Sequence, residues 1–398
     1  MSPSLTEDSA AAAQLAPPRL RLEFLDGLRG IAALYVVLFH AYQLGTLDDP
    51  RVDPDLVWRI GHPAVSVFIV LSGFCLMLPV ARSGEDKLRG GVWNYLQRRA
   101  RRILPPYYAA LVLGVLFLVA AHFARYRSES ALHDRVLALH LSPGSLLSHL
   151  FLVHNLSSVW IETIDVPMWS VATEWQIYFF LPALLLPVWR RFGGWAMPAA
   201  GFAVGLLPHY LLAPGANFDW ACPWYLGLFA TGMAGAGLAF SPRQAAGAGR
   251  LPWGILAAAL FVLLGALLVF VPDAVISGYV WETDALAGAA TTCLILWCTR
   301  LVTKPLASRP VILRALEAPL TLWLGAFSYS LYLVHYPLLN KLAQLLAAKH
   351  LPLGERVTII YAVGVPFALG LSYLFYLAFE KRFAASSTSV RLPEVVLR

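Results

Sequence analysis

Charge is scarce in this chain. Only 13% of its 398 residues are Asp, Glu, Lys or Arg, against about 25% in an ordinary soluble domain. Hydrophobic residues make up 59%, and the mean hydropathy is +0.65. A chain of this size with so little polar surface has no means of covering itself in water. Soluble globular, disordered and fibrous readings are excluded, and a polytopic membrane protein remains. Cysteine is scarce too. Cys75, Cys222, Cys293 and Cys298 all lie in apolar stretches and none forms a Cys-x-x-Cys pair. Neither a disulfide framework nor a zinc site is expected from them, only inert buried thiols. Residues 1–18 lack the basic start and sustained apolar run of a signal peptide and read as a disordered tail. No Gly-rich phosphate loop, His-Glu-x-x-His or Gly-x-Ser-x-Gly occurs. His122, His133, His140, His149 and His154 lack helical ligand spacing, so no metal centre is expected among them. No internal repeat stands out, which weakens a reading as a transporter of paired halves.

What the chain does have is long apolar runs. Ten windows have the length of a spanning helix: 27–46, 62–81, 103–122, 168–189, 194–212, 221–240, 251–271, 280–300, 319–340 and 357–380. The expected fold is all-α, a transmembrane bundle of about ten spans. The expected layout is a disordered cytoplasmic tail at 1–20, a transmembrane domain at 21–383 and a second cytoplasmic tail at 384–398. The longest excursion, 123–167, carries one apolar segment at 145–153 that reads as an interfacial helix or an extra half-span. Placing the N-terminus inside puts 22 of the 30 basic residues on the cytoplasmic side and 8 outside. That bias orients the bundle with both termini cytoplasmic. It also accounts for the net charge of +7 without a nucleic-acid partner. Asp48, Asp49, Asp53, Asp55, Asp273, Glu282 and Asp284 are assigned to outer loops.

Few ionisable groups then remain inside the spans, and such groups are functional by default. Arg29 and His40 are 11 residues apart, about 20° apart around a helix and about 16 Å along it. One stripe of the first helix therefore carries a guanidinium at the cytoplasmic edge and an imidazole in the bilayer. A snorkelling Arg beside a structural His is the plainer reading. Ser170 and Glu174 share a face of the fourth helix at i, i+4. Glu174 is expected at nearly the depth of His40, where the two would form either a base with its orienting acid or a structural strut. The run Arg98-Arg99-Ala100-Arg101-Arg102 opens a helix and suits either phosphate or anionic lipid headgroups. Ser328, Tyr332 and His335 fall on one face of the ninth helix, as a hydroxyl-binding surface or a packed polar seam. Ser72 and Gly73 point to close helix packing.

In order along the chain, these segments resemble the acyltransferase-3 family of bacterial integral-membrane acyltransferases. Leu25-Asp26-Gly27-Leu28-Arg29-Gly30 through His40 is similar to its arginine, ten residues, histidine motif. Phe68-Ile69-Val70-Leu71-Ser72-Gly73-Phe74 and Arg99-Ala100-Arg101-Arg102-Ile103-Leu104-Pro105 are similar to its second and third segments. Trp169-Ser170-Val171-Ala172-Thr173-Glu174 and Ser328-Tyr329-Ser330-Leu331-Tyr332-Leu333-Val334-His335 are similar to the last two. Ile69 and Val171 are mild departures. The usual Pro is missing after Glu380-Lys381-Arg382, so no role is assigned to Glu380. No large soluble domain follows the last span, so the domain is expected to act alone or with separate partners.

The resemblance implies an O-acyltransferase of the inner (plasma) membrane. It would move an acyl group, acetyl first among them, from cytoplasmic acyl-CoA to a hydroxyl-bearing acceptor. Acceptors in the family include carbohydrates, cell-surface glycans and macrolide-type small molecules. On that reading His40 and Glu174 are catalytic, and Arg29, Arg99 and Arg102 bind acyl-CoA. Ser170, Ser328, Tyr332 and His335 bind the acceptor. Acyl-CoA is a co-substrate, with no tightly bound cofactor and no metal; the other partner is the lipid bilayer. The alternative is a transporter moving a polar solute along the same His and Glu path.

Overall fold

The structure is a computed structural model, described over residues 19–46, 60–83, 85–125, 140–242, 251–383 and 389–391. Asp48, Asp49, Asp53, Asp55, His133 and most of both expected tails lie outside the described residues. The described residues are largely helical. The principal helices are α1 (Glu23–Thr46), α2 (Pro63–Ser83), α3 (Gly91–Arg125), α4 (Pro143–Leu150) and α5 (Met168–Phe180). They continue as α6 (Ala196–Gly205), α7 (Tyr225–Phe240), α8 (Trp253–Phe270), α9 (Val280–Leu301), α10 (Pro319–Ala326) and α11 (Ser328–Ala347). The last, α12, runs over Leu353–Glu380 with two π-helical turns, Ile360–Gly364 and Tyr376–Glu380. Two three-residue strands, Arg19–Arg21 and Ser389–Arg391, pair antiparallel and join what is described of the two tails.

Six helices among the described residues are long and apolar enough to cross a membrane: α1, α2, the Gly91–Ala120 part of α3, Met168–Phe192, α8 and α12. Each of the ten sequence windows falls on helix, but two are broken. The window 194–212 is α6 plus a short helix at Leu207–Leu211, because Pro208 has no N–H to continue the ladder. The window 319–340 divides at Phe327 into α10 and α11. The apolar segment at 145–153 contains the short helix α4. Ser142 caps it by accepting a hydrogen bond from the Ser145 N–H, and Leu147, Leu150 and Phe151 are left exposed on its surface.

Close helix packing positions the site. α2 packs against α7 with Gly73 at the crossing, where a Cβ would run into the Phe229 carbonyl. α1 packs against α10 and α11 in the same way, with Gly325 facing the Asp26 carbonyl. Without a hydrophobic driving force between helices in lipid, such small-residue contacts decide which helices associate. The close packing expected of Gly73 is what the helix crossing requires of it. Gly73→Ala forces backbone apart at that crossing, and overpacking of this kind costs about 1–3 kcal/mol. We expect a lower unfolding temperature for this variant in detergent, whereas Gly265→Ala, whose added methyl meets nothing, leaves it unchanged.

Candidate functional site

The arginines of α1 and α3 converge. Arg29, Arg98, Arg99 and Arg102 line a cavity of about 640 Å³ that also takes in Asp26, Cys75, Glu174 and Glu380. Helical phase does this: Arg99 and Arg102 are three apart on α3 and turn to the same side as Arg29 of α1. Arg29 is held on both arms, donating to Asp26 Oδ1 at 2.8 Å and to Cys75 Sγ at 3.0 Å. Glu174 accepts a hydrogen bond from the Tyr178 hydroxyl at 2.6 Å, and Tyr178 stands 3.3 Å from the Ser72 hydroxyl. Glu380 is buried and accepts from both the N–H and the hydroxyl of Ser330, at 3.0 and 2.5 Å. The lining carries five arginines (Arg89 is the fifth) against four acids, Glu23, Asp26, Glu174 and Glu380, so the cavity is rich in guanidinium groups and only modestly positive in sum.

At its other end the cavity reaches Phe68, Ser170 and Tyr332. The Ser170 and Tyr332 hydroxyls are 2.6 Å apart and join α5 to α11. The Tyr332 ring lies 6.2 Å from the ring of His335, one turn further along α11. His335 in turn meets His40 of α1, with His40 Nδ1 and His335 Nε2 2.8 Å apart. Neither histidine is in the cavity lining.

The direction of these hydrogen bonds follows from the end of the chain. His335 Nδ1 lies 2.8 Å from the Leu331 carbonyl, which can only accept. His335 Nδ1 therefore carries the hydrogen. With both rings neutral, His335 Nε2 accepts and His40 Nδ1 donates. His40 Nε2 is left with the lone pair, the protonation state of a general base.

This arrangement corrects one expectation. Glu174 and His40 are not partners. Glu174 lines the arginine cavity and is bonded by Tyr178, and the hydrogen-bond partner of His40 is His335. Glu174 lines the cavity with Arg29, whereas His40, about 16 Å further along α1, does not, so the expected match in depth fails. Ser170 and Tyr332 are together as expected of one surface. Ser328 donates to the Gly325 carbonyl and lies in the cavity wall rather than beside His335. Asp284, assigned to an outer loop, is instead inside α9 and fully buried, donated to by Ser66 and Trp224. The sequence reading passed over Tyr178 and gave Glu380 no role, and Cys75, expected as an inert buried thiol, is half-buried and bonded by Arg29. A carboxylate four residues before Tyr178 on one helix was the available signal for the first pairing.

A model of an acyltransferase domain matches residues 22–377, nearly the whole chain. The chain belongs to the acyltransferase-3 family. Among curated relatives, it is 33% identical over 178 residues to the acyltransferase MdmB of Streptomyces mycarofaciens, covering 44% of this chain and 41% of that one. It is 29% identical over 181 residues to the putative membrane-bound transacylase BcsY of Komagataeibacter xylinus, covering 44% and 40%. Against the peptidoglycan O-acetyltransferase OatA of Listeria monocytogenes it is 25% identical over 168 residues, covering 41% and 24%. The chain thus spans less than half the length of these relatives. No solved structure matches it significantly.

The excursion before α5 packs beside the site. Asn155 donates to Thr173 and Gln176 of α5, and the buried rings of His149 and His154 stack with centroids 3.8 Å apart. Burial, and after it the neighbouring His149, pushes His154 down to about 3. A His whose folded value lies below its unfolded value of about 6.5 contributes stability above 6.5, lost as pH falls towards 3. Acidification from pH 7 to pH 5 is therefore expected to lower the unfolding temperature. His154→Gln, which does not titrate, should flatten that dependence in thermal scans across this range.

Proposed function

We propose that the chain is a multi-pass membrane O-acyltransferase in which His40 is the general base and the arginine cavity holds the acyl donor. The observation that carries this reading is the hydrogen-bond chain from Leu331 through His335 to His40, which leaves a basic nitrogen in the bundle. The donor class that fits the cavity is acyl-CoA. Its phosphates suit planar guanidinium forks, and an extended arm would run from the arginines towards Ser170 and Tyr332. The acceptor class is a hydroxyl compound, a carbohydrate or glycan above others. The name of OatA supports O-acetylation of such a polymer, and that of MdmB supports acyl transfer more broadly.

In this mechanism His40 Nε2 takes the proton of the acceptor hydroxyl. The oxygen attacks the thioester carbonyl, the C–S bond breaks, and the CoA thiolate leaves to collect the proton. An ester and free CoA thiol result. His335 orients His40 and shares the developing charge. Tyr332 and Ser170 stand between donor and base, where the reacting carbonyl would sit. Glu174 fixes Tyr178 and tempers the positive field around Arg29. The membrane reading extends to about ten spans with both ends on the cytoplasmic face of the plasma membrane. The pairing of Arg19–Arg21 with Ser389–Arg391 favours a common side for the two ends.

His40→Ala should lower turnover about 10²–10⁴-fold, the usual contribution of a general base, in a protein that inserts normally. His335→Ala should reduce kcat with little change in KM for the donor. Wild-type rates from His40→Ala would end the catalytic assignment. Arg99→Ala and Arg102→Ala should instead raise KM for acyl-CoA, since each charge-assisted bond is worth about 1.5–3 kcal/mol. Lys in either place should restore only part. Hydroxyl-stimulated release of CoA thiol by purified protein is the deciding measurement. Solute flux through proteoliposomes without such release would favour the transporter instead.

A further inference from the structure

A second polar cluster lies outside the arginine cavity, at the N-terminal end of α2. His62 precedes α2, Cys222 lies in the turn before α7, and Asp284 is on α9. All three are buried. His62 Nε2 stands 3.0 Å from Asp284 Oδ2, 3.1 Å from the Tyr225 hydroxyl and 4.0 Å from Cys222 Sγ. One imidazole nitrogen carries either one hydrogen or one lone pair, so it makes one good hydrogen bond. Three heteroatoms around one nitrogen are two more than its single hydrogen bond uses. The three ligand-type atoms all lie within 4.8 Å of one another. Such a spacing suits atoms sharing one cation at bond lengths of about 2.0–2.3 Å.

The backbone is also unusual at this point. Cys222 has φ 50° and ψ 56°, the left-handed region that a side-chain-bearing residue rarely adopts. Phe218, at the other end of the same turn, is left-handed as well. The left-handed turn is what places Cys222 Sγ 4.0 Å from His62 Nε2. The other oxygen of Asp284 accepts from Ser66 at 2.6 Å, and Oδ2 also accepts from the Trp224 indole at 2.8 Å. Outer hydrogen bonds of this sort orient a ligating carboxylate.

We propose that His62, Cys222 and Asp284 form a zinc site, with the Tyr225 hydroxyl or a water as fourth ligand. A thiolate, an imidazole and a carboxylate together select zinc over magnesium or calcium, which take oxygen ligands. The metal ties the start of α2, the turn before α7 and α9 at one point. It also lies next to the Ser170 end of the cavity, where the proposed function puts acyl transfer. The Trp169 ring lies parallel to His62, 3° apart with centroids at 6.2 Å, and the next residue is Ser170. The sequence gives no sign of this set, because 160 residues separate His62 from Cys222 and 62 more lead to Asp284.

The test uses the full chain purified in detergent without a histidine tag. Elemental analysis should find about one zinc per chain after extensive dialysis. A strong chelator should remove it and lower the unfolding temperature, and Zn²⁺ but not Mg²⁺ should restore it. Replacement by Co²⁺ should give a thiolate-to-cobalt band in the near ultraviolet that Cys222→Ser abolishes and Cys298→Ser keeps. A wild-type chain that retains no metal and shows no thiolate band overturns the proposal and leaves the cluster a hydrogen-bonded strut. A band that survives in Cys222→Ser overturns it equally. Should Cys222→Ser fail to fold, the wild-type band and its loss on chelation decide. None of these readouts depends on acyl transfer, so the outcome is separate from that of the proposed function.

Discussion

A bilayer interior offers no water to a polar side chain, so each one placed there must find its partner within the protein. The polar pairs of this bundle obey that constraint. Arg29 is held by Asp26 and Cys75, Glu174 by Tyr178, Glu380 by Ser330, Ser170 by Tyr332 and His40 by His335. Most of these pairs join different helices. They fix rotation and depth of one helix against another, which apolar side chains in lipid do only weakly. Function is laid over the same network, since the groups that must be satisfied are also those able to bind charge and move protons.

The site divides into two electrostatic parts. On one side is a cavity of arginines with fixed carboxylates in its wall. On the other is a pair of imidazoles with no carboxylate partner among the described residues. Ser170 and Tyr332 stand between them. A base needs a free lone pair and little competing charge, whereas a phosphate-bearing donor needs concentrated positive charge. In the proposed mechanism, keeping the imidazoles out of the cavity lining serves both needs. The Leu331 carbonyl does for His335 what a carboxylate does in other relays: it fixes the tautomer. It does so without adding a negative charge to a low-dielectric setting, where an unpaired carboxylate is costly.

The close crossings of α2 with α7 and of α1 with α10 explain why glycine recurs near the motifs. Gly73 follows Ser72, and Gly325 stands two residues before Phe327, where the window 319–340 divides. Larger residues at these crossings would part the helices and with them the cavity wall.

Composition and the run of apolar windows determined the membrane class and the helical architecture. The order of five motifs determined the family, because each is local and its spacing is preserved along one helix. His40, His335, Arg29, Arg99, Arg102, Ser170, Tyr332 and Glu174 were all legible as polar groups in apolar runs. Which of them meet was not legible. Helical phase gives neighbours three or four residues apart, but the rotation of one helix against another is set by packing across hundreds of residues. His40 therefore reads equally well beside Glu174 or His335 until α1 and α11 are in place. Asp284 reads as a loop acid until α9 turns it inward. The convergence of His62, Cys222 and Asp284 belongs wholly to the tertiary structure, since no local pattern links three residues brought together only by the docking of α2, α7 and α9.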